Sequence, residues 1–339
     1  MGLSITARHY KLPLKHPFGI SRYTVNTQDT VIVSICNGEF TGYGEATVNP
    51  YYSSTVEKIE GSVGKVKSVI EKTELIKHPS EFWEAVMPFL EDDYFTLCAI
   101  DCAYWDLYAK IHNRSLRSFF SDKTEGLPLT NYTIGIDSIA NMKVKIEEQP
   151  WPIYKIKLGT PNDIEIIKSL RQITDAVFRI DANASWTAEE ALRNIEIFKD
   201  FNVEFIEQPL KANDWEGMKL LKAHSELPII ADESCMRLED VAKCAEVFHG
   251  VNIKLMKCGG LTPALKMIES ARNYNMLVMA GCMTESSVGI SNLAQLAGLL
   301  DYMDADGAML LKKDIAKGVD FEQGAVVFSQ ANGSGATLL

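Results

Sequence analysis

The chain has 339 residues, 46% of them hydrophobic and 23% charged, a composition that folds and that excludes a disordered or fibrous polymer. Its 34 basic and 45 acidic residues leave a net charge of −11, which disfavours nonspecific binding to nucleic acid. Seven scattered cysteines without CxxC spacing argue against a disulfide scaffold or a cysteine zinc site. The N-terminus lacks an apolar core of signal length, and no stretch approaches the ~20 apolar residues of a membrane span. A cytoplasmic, soluble protein is expected, with neither nucleic acid nor membrane as partner.

The length suits two domains, or one barrel-sized domain filling most of the chain. Residues 3–10, 29–36 and 39–45 have strand composition, with a turn at Asn37-Gly38, and read as a small antiparallel meander. Residues 16–29, HPFGISRYTVNTQD, read as a polar loop of the kind that carries function. Residues 54–117 read as helical. Within them LCAIDCAYWDLY (97–108) is apolar enough to be packed on most sides. Gly126-Leu127-Pro128 marks a boundary. Beyond it short apolar strands alternate with helices: 129–134, 153–158, 177–181, 203–207, 228–232, 251–255, 276–280 and 301–304. Their starts step by 23 to 26 residues, the length of one strand, one helix and two short loops. Thr187 with Glu190, and Asn162 with Glu165, are candidate capping boxes. Eight such units suit a closed parallel barrel. An open doubly wound sheet is the rival, but neither GxGxxG nor GxxxxGK is present.

Barrel chemistry sits at the C-terminal ends of the strands. Asp181, Glu207 and Asp232 end three successive strands, 26 and 25 residues apart. Three converging acids repel one another, and all-oxygen ligation suits Mg²⁺, with Mn²⁺ as the alternative. Helix N-caps are the plain alternative reading of any one acid; three in register favour the cation. Lys155 and Lys157 share a face of the second strand, and Lys254 ends the sixth, on the opposite side of an eight-stranded ring. A nearby cation lowers a lysine's proton affinity toward the range of a base. Strand-end lysines in solvated ion pairs are the bland alternative. A metal that chelates a substrate carboxylate between opposed lysines permits proton removal on one face and return on the other, or else expulsion of a β leaving group.

The pieces YKIKLG (154–159), DANASW (181–186), EQP (207–209), ADES (231–234) and NIKLMKCGG (252–260) together resemble the enolase superfamily, in its muconate lactonising subgroup. The resemblance spans essentially the whole chain. It implies an α/β fold: an α+β capping domain (1–125), a modified TIM barrel, (β/α)₇β (126–320), and a C-terminal segment (321–339) returning toward the cap. It also implies one Mg²⁺ per subunit on Asp181, Glu207 and Asp232, general bases at Lys157 and Lys254, and Lys155 as the cation tuning Lys157. Lys257, by strand alternation, is expected to point elsewhere. Barrels of this kind commonly assemble, so a homo-oligomer is expected.

Within the subgroup the chain looks like a dipeptide epimerase of the Ala-Glu type. The evidence is Asp304-Ala305-Asp306 at the last strand end, where two carboxylates two apart can hold a substrate ammonium; a solvated turn before Gly307 is the alternative. CMTES (282–286) resembles the family's seventh strand end, which implies that Cys282, Met283 and Glu285 border the substrate. Thr133 is expected to line the pocket. Phe18, Ile20, Ser21, Arg22 and Tyr23 are expected to close over the second residue of a dipeptide. Arg22 favours an acidic side chain; Phe18, Ile20, Tyr51 and Tyr52 favour a small or hydrophobic one. An N-acylamino acid racemase or an o-succinylbenzoate synthase shares the lysines and acids but gives Asp304 and Asp306 no ammonium to hold. Lys254 and only six histidines speak against sugar-acid dehydratases.

Overall fold

The first three strands, β1 (Ser4–Gly19), β2 (Thr24–Cys36) and β3 (Thr41–Thr47), form the expected antiparallel meander. The structure is a computed structural model and describes residues 2–21, 23–73 and 76–339. Residues 16–29 are not one loop. Phe18 pairs with Val25 and Gly19 with Thr24, beyond a register shift after Pro13, and Ile20 N–H donates to the Tyr23 carbonyl. Polar residues are compatible with such a ladder, because pairing uses backbone groups and one face of a meander can stay wet. The turn after β2 is also longer than a two-residue hairpin. Asn37 N–H donates to Phe40 O, the Asn37 side chain accepts from the Glu39 and Phe40 amides, and β3 therefore starts at Thr41.

Helices α1 (Val56–Glu71), α2 (Pro79–Val86) and α3 (Tyr94–Ile111) cover the meander. Almost every residue of α3 is buried, because one face meets the sheet and the other meets the barrel. Sequence explains the close approach. Gly42 and Gly44 lie two apart on β3 and face Ala99 and Ala103. A Cβ added at Gly44 would sit 1.9 Å from the Ala99 carbonyl oxygen, and one at Gly42 would sit 2.0 Å from that of Ala103. On the other face, Asp101 accepts from the Thr262 amide (2.8 Å) and hydroxyl (2.7 Å), and Trp105 Nε1–H donates to that hydroxyl (2.9 Å).

The second unit alternates strand and helix: β4 (Tyr132–Ile134), α4 (Ile139–Glu148), β5 (Ile153–Lys157), α5 (Asp163–Arg171), β6 (Val177–Asp181), α6 (Ala188–Phe198), β7 (Val203–Glu207), α7 (Trp215–His224), β8 (Ile229–Ala231), α8 (Leu238–Val247), β9 (Gly250–Ile253), the single turn α9 (Leu255–Cys258), α10 (Leu261–Asn273), β10 (Leu277–Gly281), α11 (Ser287–Ala294) and β11 (Tyr302–Asp304). The eight strands pair in parallel in chain order. A parallel bridge between Thr130 and Met303 draws β4 and β11 together. This is a (β/α)₇β barrel beneath an α+β cap. The Thr187–Glu190 capping box forms at α6. Asn162 does not cap α5. The neighbouring Asp163 carboxylate instead accepts from the Gly159 and Thr160 amides.

After β11 the chain makes two short antiparallel pairs, β12 (Ala316–Lys317) with β15 (Thr337–Leu338) and β13 (Asp320–Glu322) with β14 (Ala325–Val327). Its end reaches the cap: Gly333 exchanges backbone hydrogen bonds with Arg114 and Leu116, and Ser334 N–H donates to Asp106. No described helix is long and apolar enough to cross a membrane.

The contact between β3 and α3 predicts that Gly44→Ala destabilises the fold by about 1–3 kcal/mol, since the methyl meets backbone that cannot yield. Urea denaturation checks this; a midpoint equal to that of the parent would show the helix free to shift.

Candidate active site

The barrel register builds the centre of the site. Lys157 is paired with Asp181, and Asp181 with Glu207, so their side chains share one rim; Asp232 follows β8 by one residue. Asp181, Glu207 and Asp232 are all buried and offer carboxylate oxygens that lie within 4.8 Å of one another. Lys155 Nζ lies 3.1 Å from Asp181, 2.6 Å from Glu207 and 2.8 Å from Asp304. Lys157 Nζ is 2.6 Å from Asp181, and Lys254 Nζ is 2.8 Å from Asp232. In the strand order β5 and β9 stand four places apart, so these two ammonium groups approach the acids from opposed sides of the ring.

Lys257 does not point elsewhere. The strand ends at Ile253, and the chain turns into α9, where alternation no longer holds. Lys257 Nζ reaches Asp232 Oδ1 at 2.6 Å and the carbonyls of Cys235 and Asp232. Two asparagines also join the site. Asn252 donates to Glu207 Oε1 (2.7 Å), and Asn131 donates to Asp304 Oδ1 (2.8 Å). Each lies two residues before a residue singled out from the sequence, Lys254 and Thr133. The two-residue period that joined Lys155 to Lys157 would have found both.

Burial would raise all three central carboxyls, and the lysines divide them. Lys254 and Lys257 outweigh burial at Asp232 and hold it well below the carboxylate range. Lys157 and Lys155 do the same at Asp181. Glu207 is pushed up to about 7 by burial and by Asp181, against the pull of Lys155. Glu207 Oε2 lies 2.6 Å from Lys155 Nζ yet makes no hydrogen bond. The triad thus gathers three buried carboxyl groups in an all-oxygen donor set, with one oxygen, Glu207 Oε2, left without a hydrogen bond. That fits a hard divalent cation, and Mg²⁺ in particular. Lys254 is held well above its usual value, because Asp232 outweighs the burial that would lower it.

A second anionic group adjoins the first. Cys282, Asp304 and Asp306 bring a sulfur and two carboxylate oxygens within 4.8 Å of one another. Asp306 accepts from the Thr133 amide, and burial together with Asp304 pushes it up to about 7. Asp304 is held below its usual value, where Lys155 overcomes burial. The ammonium beside this corner is Lys155, which it shares with the triad.

Both groups open onto a cleft between barrel and cap, partly open to solvent. Thr133, Lys155, Lys157, Lys254, Asp232, Asp304, Asp306, Cys282 and Met283 line its barrel side; Phe18, Ile20, Tyr23, Val25, Tyr51 and Tyr52 line its cap side. Glu285 is not among the lining residues. It is buried, and its carboxylate accepts from the Met283 amide at 2.7 Å. Arg22 lies outside the described residues.

Two family models match the chain: the mandelate racemase / muconate lactonizing enzyme N-terminal domain over residues 3–120, and the enolase C-terminal domain-like family over residues 137–339. The chain is 52% identical over 337 residues to an L-Ala-D/L-amino acid epimerase of Flavobacterium johnsoniae, covering 99% of this chain and 100% of the relative. It is 50% identical over 340 residues to an L-Ala-D/L-amino acid epimerase of a Maribacter species, covering 99% of each. Among solved structures it resembles the dipeptide epimerase of Enterococcus faecalis in complex with Mg and L-Leu-L-Tyr, with a TM-score of 0.92 at 28% identity over 99% of this chain and 100% of that one. With cap, barrel, acid triad and opposed lysines all in place, the chain belongs to the enolase superfamily, in its mandelate racemase / muconate lactonizing enzyme group.

Proposed function

We propose that the protein is a dipeptide epimerase that moves a proton at the α-carbon of the C-terminal residue, with one Mg²⁺ per subunit on Asp181, Glu207 and Asp232. The observation that carries this reading is the opposition of Lys157 and Lys254 across the acid triad. An α-carbon between two amines can lose its proton to one of them, become planar, and take a proton from the other on the opposite face, which inverts the centre. When bound, the ion polarises the substrate carboxylate as a Lewis acid, and its charge offsets that of Asp232 and Asp181, which lowers the proton affinity of the lysines paired to them.

The residues divide the remaining work. Lys157 takes or returns the proton on one face and Lys254 on the other. Lys155, held between Asp304 and the triad, faces the substrate carboxylate with a fixed positive charge. Asp304 and Asp306 receive the ammonium of the N-terminal residue. An acylated substrate would leave Asp306 with no counter-charge, which favours a free dipeptide over an N-acylamino acid or a succinylbenzoate. Cys282, Met283, Thr133 and Phe18 border the substrate. L-Ala in the first position with a range of second residues is supported by the names of the two relatives and by the mixed apolar and aromatic cap wall of Phe18, Ile20, Val25, Tyr51 and Tyr52. We also propose a cytoplasmic homo-oligomer divided into cap (1–125), barrel (126–320) and returning segment (321–339). The free, scattered cysteines support the compartment, and the change of pattern near residue 126 supports the division.

Three outcomes test the reading. Lys157→Ala and Lys254→Ala each lower epimerisation of L-Ala dipeptides by about 10²–10⁴-fold. In deuterated water each variant still exchanges the α-proton of one epimer, and the epimer differs between the two; equal exchange of both epimers by either variant would remove the two-base assignment. Chelation by EDTA abolishes turnover and Mg²⁺ restores it; full activity in the dialysed, chelated protein would reject the metal. Asp306→Asn raises KM for free dipeptides at nearly constant kcat, lowering kcat/KM by about 10–100-fold, the weight of a charge-assisted hydrogen bond of ~1.5–3 kcal/mol. An unchanged KM would place the ammonium elsewhere.

A further inference from the structure

Two buried acids outside the chemistry above meet where the cap rests on the barrel. Glu45 stands on β3 of the cap, and Glu285 precedes α11 of the barrel; both side chains are buried. They crowd the same residue. A Cβ added at Gly289 would lie 2.0 Å from Glu285 Oε2 and 3.2 Å from Glu45 Oε2, so no side chain but hydrogen fits between them. Their hydrogen bonding is unequal. Glu45 accepts from the Ser286 amide (3.0 Å) and hydroxyl (2.5 Å), the Gly289 amide (3.0 Å) and the Thr30 hydroxyl (2.8 Å), at the positive end of α11. Glu285 accepts from the Met283 amide. An environment so rich in donors favours the carboxylate at Glu45, and two adjacent buried carboxylates cannot both stay ionised.

We propose that Glu45 and Glu285 carry a single proton, kept on Glu285, and that this neutral acid seats the cap on the barrel and holds the Met283 wall of the cleft. Glu285 is thus a positioning residue: it touches the backbone of a cleft-lining residue and lies outside the cleft. The burial that favours the neutral acid, together with Glu45, pushes Glu285 up to about 8, and burial pushes Glu45 up as well against its four donors. The other ionisable groups facing Glu285 are Lys254, Asp304 and the thiols of Cys98, Cys102 and Cys282. Of these Lys254 alone favours ionisation. Loss of the proton sets two carboxylates against each other across the joint between cap and barrel. Because a raised pKa stabilises the fold while the proton is bound, this contribution is complete below the ordinary glutamate range and fades as pH rises through about 8.

The effect on turnover rests on the epimerase reading, whereas the effect on unfolding does not. In the wild-type protein, KM for an L-Ala dipeptide rises above pH 8 by at most about tenfold per pH unit, while kcat changes less. Thermal unfolding, measured without substrate, shifts to lower temperature between about pH 5 and 8, where only the folded state holds the proton, and levels off above that. Glu285→Gln keeps an uncharged group of the same shape, and Glu45→Gln removes the opposing charge; either variant flattens both changes. If Glu45→Gln fails to fold, Glu285→Gln alone decides. Flattening of the unfolding profile supports the proposal even if no dipeptide is turned over. An unfolding profile in Glu285→Gln that falls as steeply between about pH 5 and 8 as in the wild type overturns it. So does an alkaline limb confined to kcat, which would report the lysines instead.

Discussion

One ammonium group connects the two halves of the site. Lys155 Nζ is buried within 3.1 Å of Asp181, Glu207 and Asp304, and so joins the triad to the corner formed by Asp304 and Asp306. A buried charge is tolerated only when it is paired, and here each partner depends on the others. Lys155 holds Asp304 ionised, while Asp304, Glu207 and Asp181 hold Lys155 charged against its burial. The arrangement is a compact salt of four side chains from four strands. It leaves two acids, Glu207 and Asp306, each pushed up to about 7 by burial and a neighbouring carboxylate. In the proposed function a divalent cation answers the first and a substrate ammonium the second.

The same constraint explains why the cap is stitched to the barrel with acids. Asp101 receives the amide and hydroxyl of Thr262 at the start of α10, and Glu45 receives donors at the start of α11. Each carboxylate satisfies helix amides that would otherwise be orphaned in a dry interface. The close packing of α3 against the glycines of β3 brings the cap helix near enough for these contacts. The apolar and aromatic residues of the cap then stand over the lysines and acids of the rim, where they narrow the access of water to the reacting carbon.

Much of this was legible before folding. The 23-to-26-residue rhythm located eight strands, and β6 and β7 begin and end where the sequence pattern puts them. The acids and lysines at the strand ends stood out because charge terminates apolar runs. The errors also have physical causes. The polar stretch 16–29 joins a ladder through its backbone. Asn162 leaves α5 without a side-chain cap, and the Asp163 carboxylate instead ties down the Gly159 and Thr160 amides of the preceding loop. Lys257 escapes alternation because the strand has already become a helical turn. Glu285 stands apart from the cleft because a buried carboxylate on the cap and a backbone amide occupy it.

The amino-acid sequence alone determined the alternation of elements, the faces on which residues two apart must share a side, and the identity of the charged groups at the rim, because these follow from local periodicity and side-chain chemistry. Tertiary structure decided which distant charges meet. Lys155 and Asp304 lie 149 residues apart in the chain, and Glu45 lies 241 residues from Ser286. No local pattern encodes such pairs. They exist because the ring closes and the cap docks, and burial then leaves each charge no partner but the ones the fold provides.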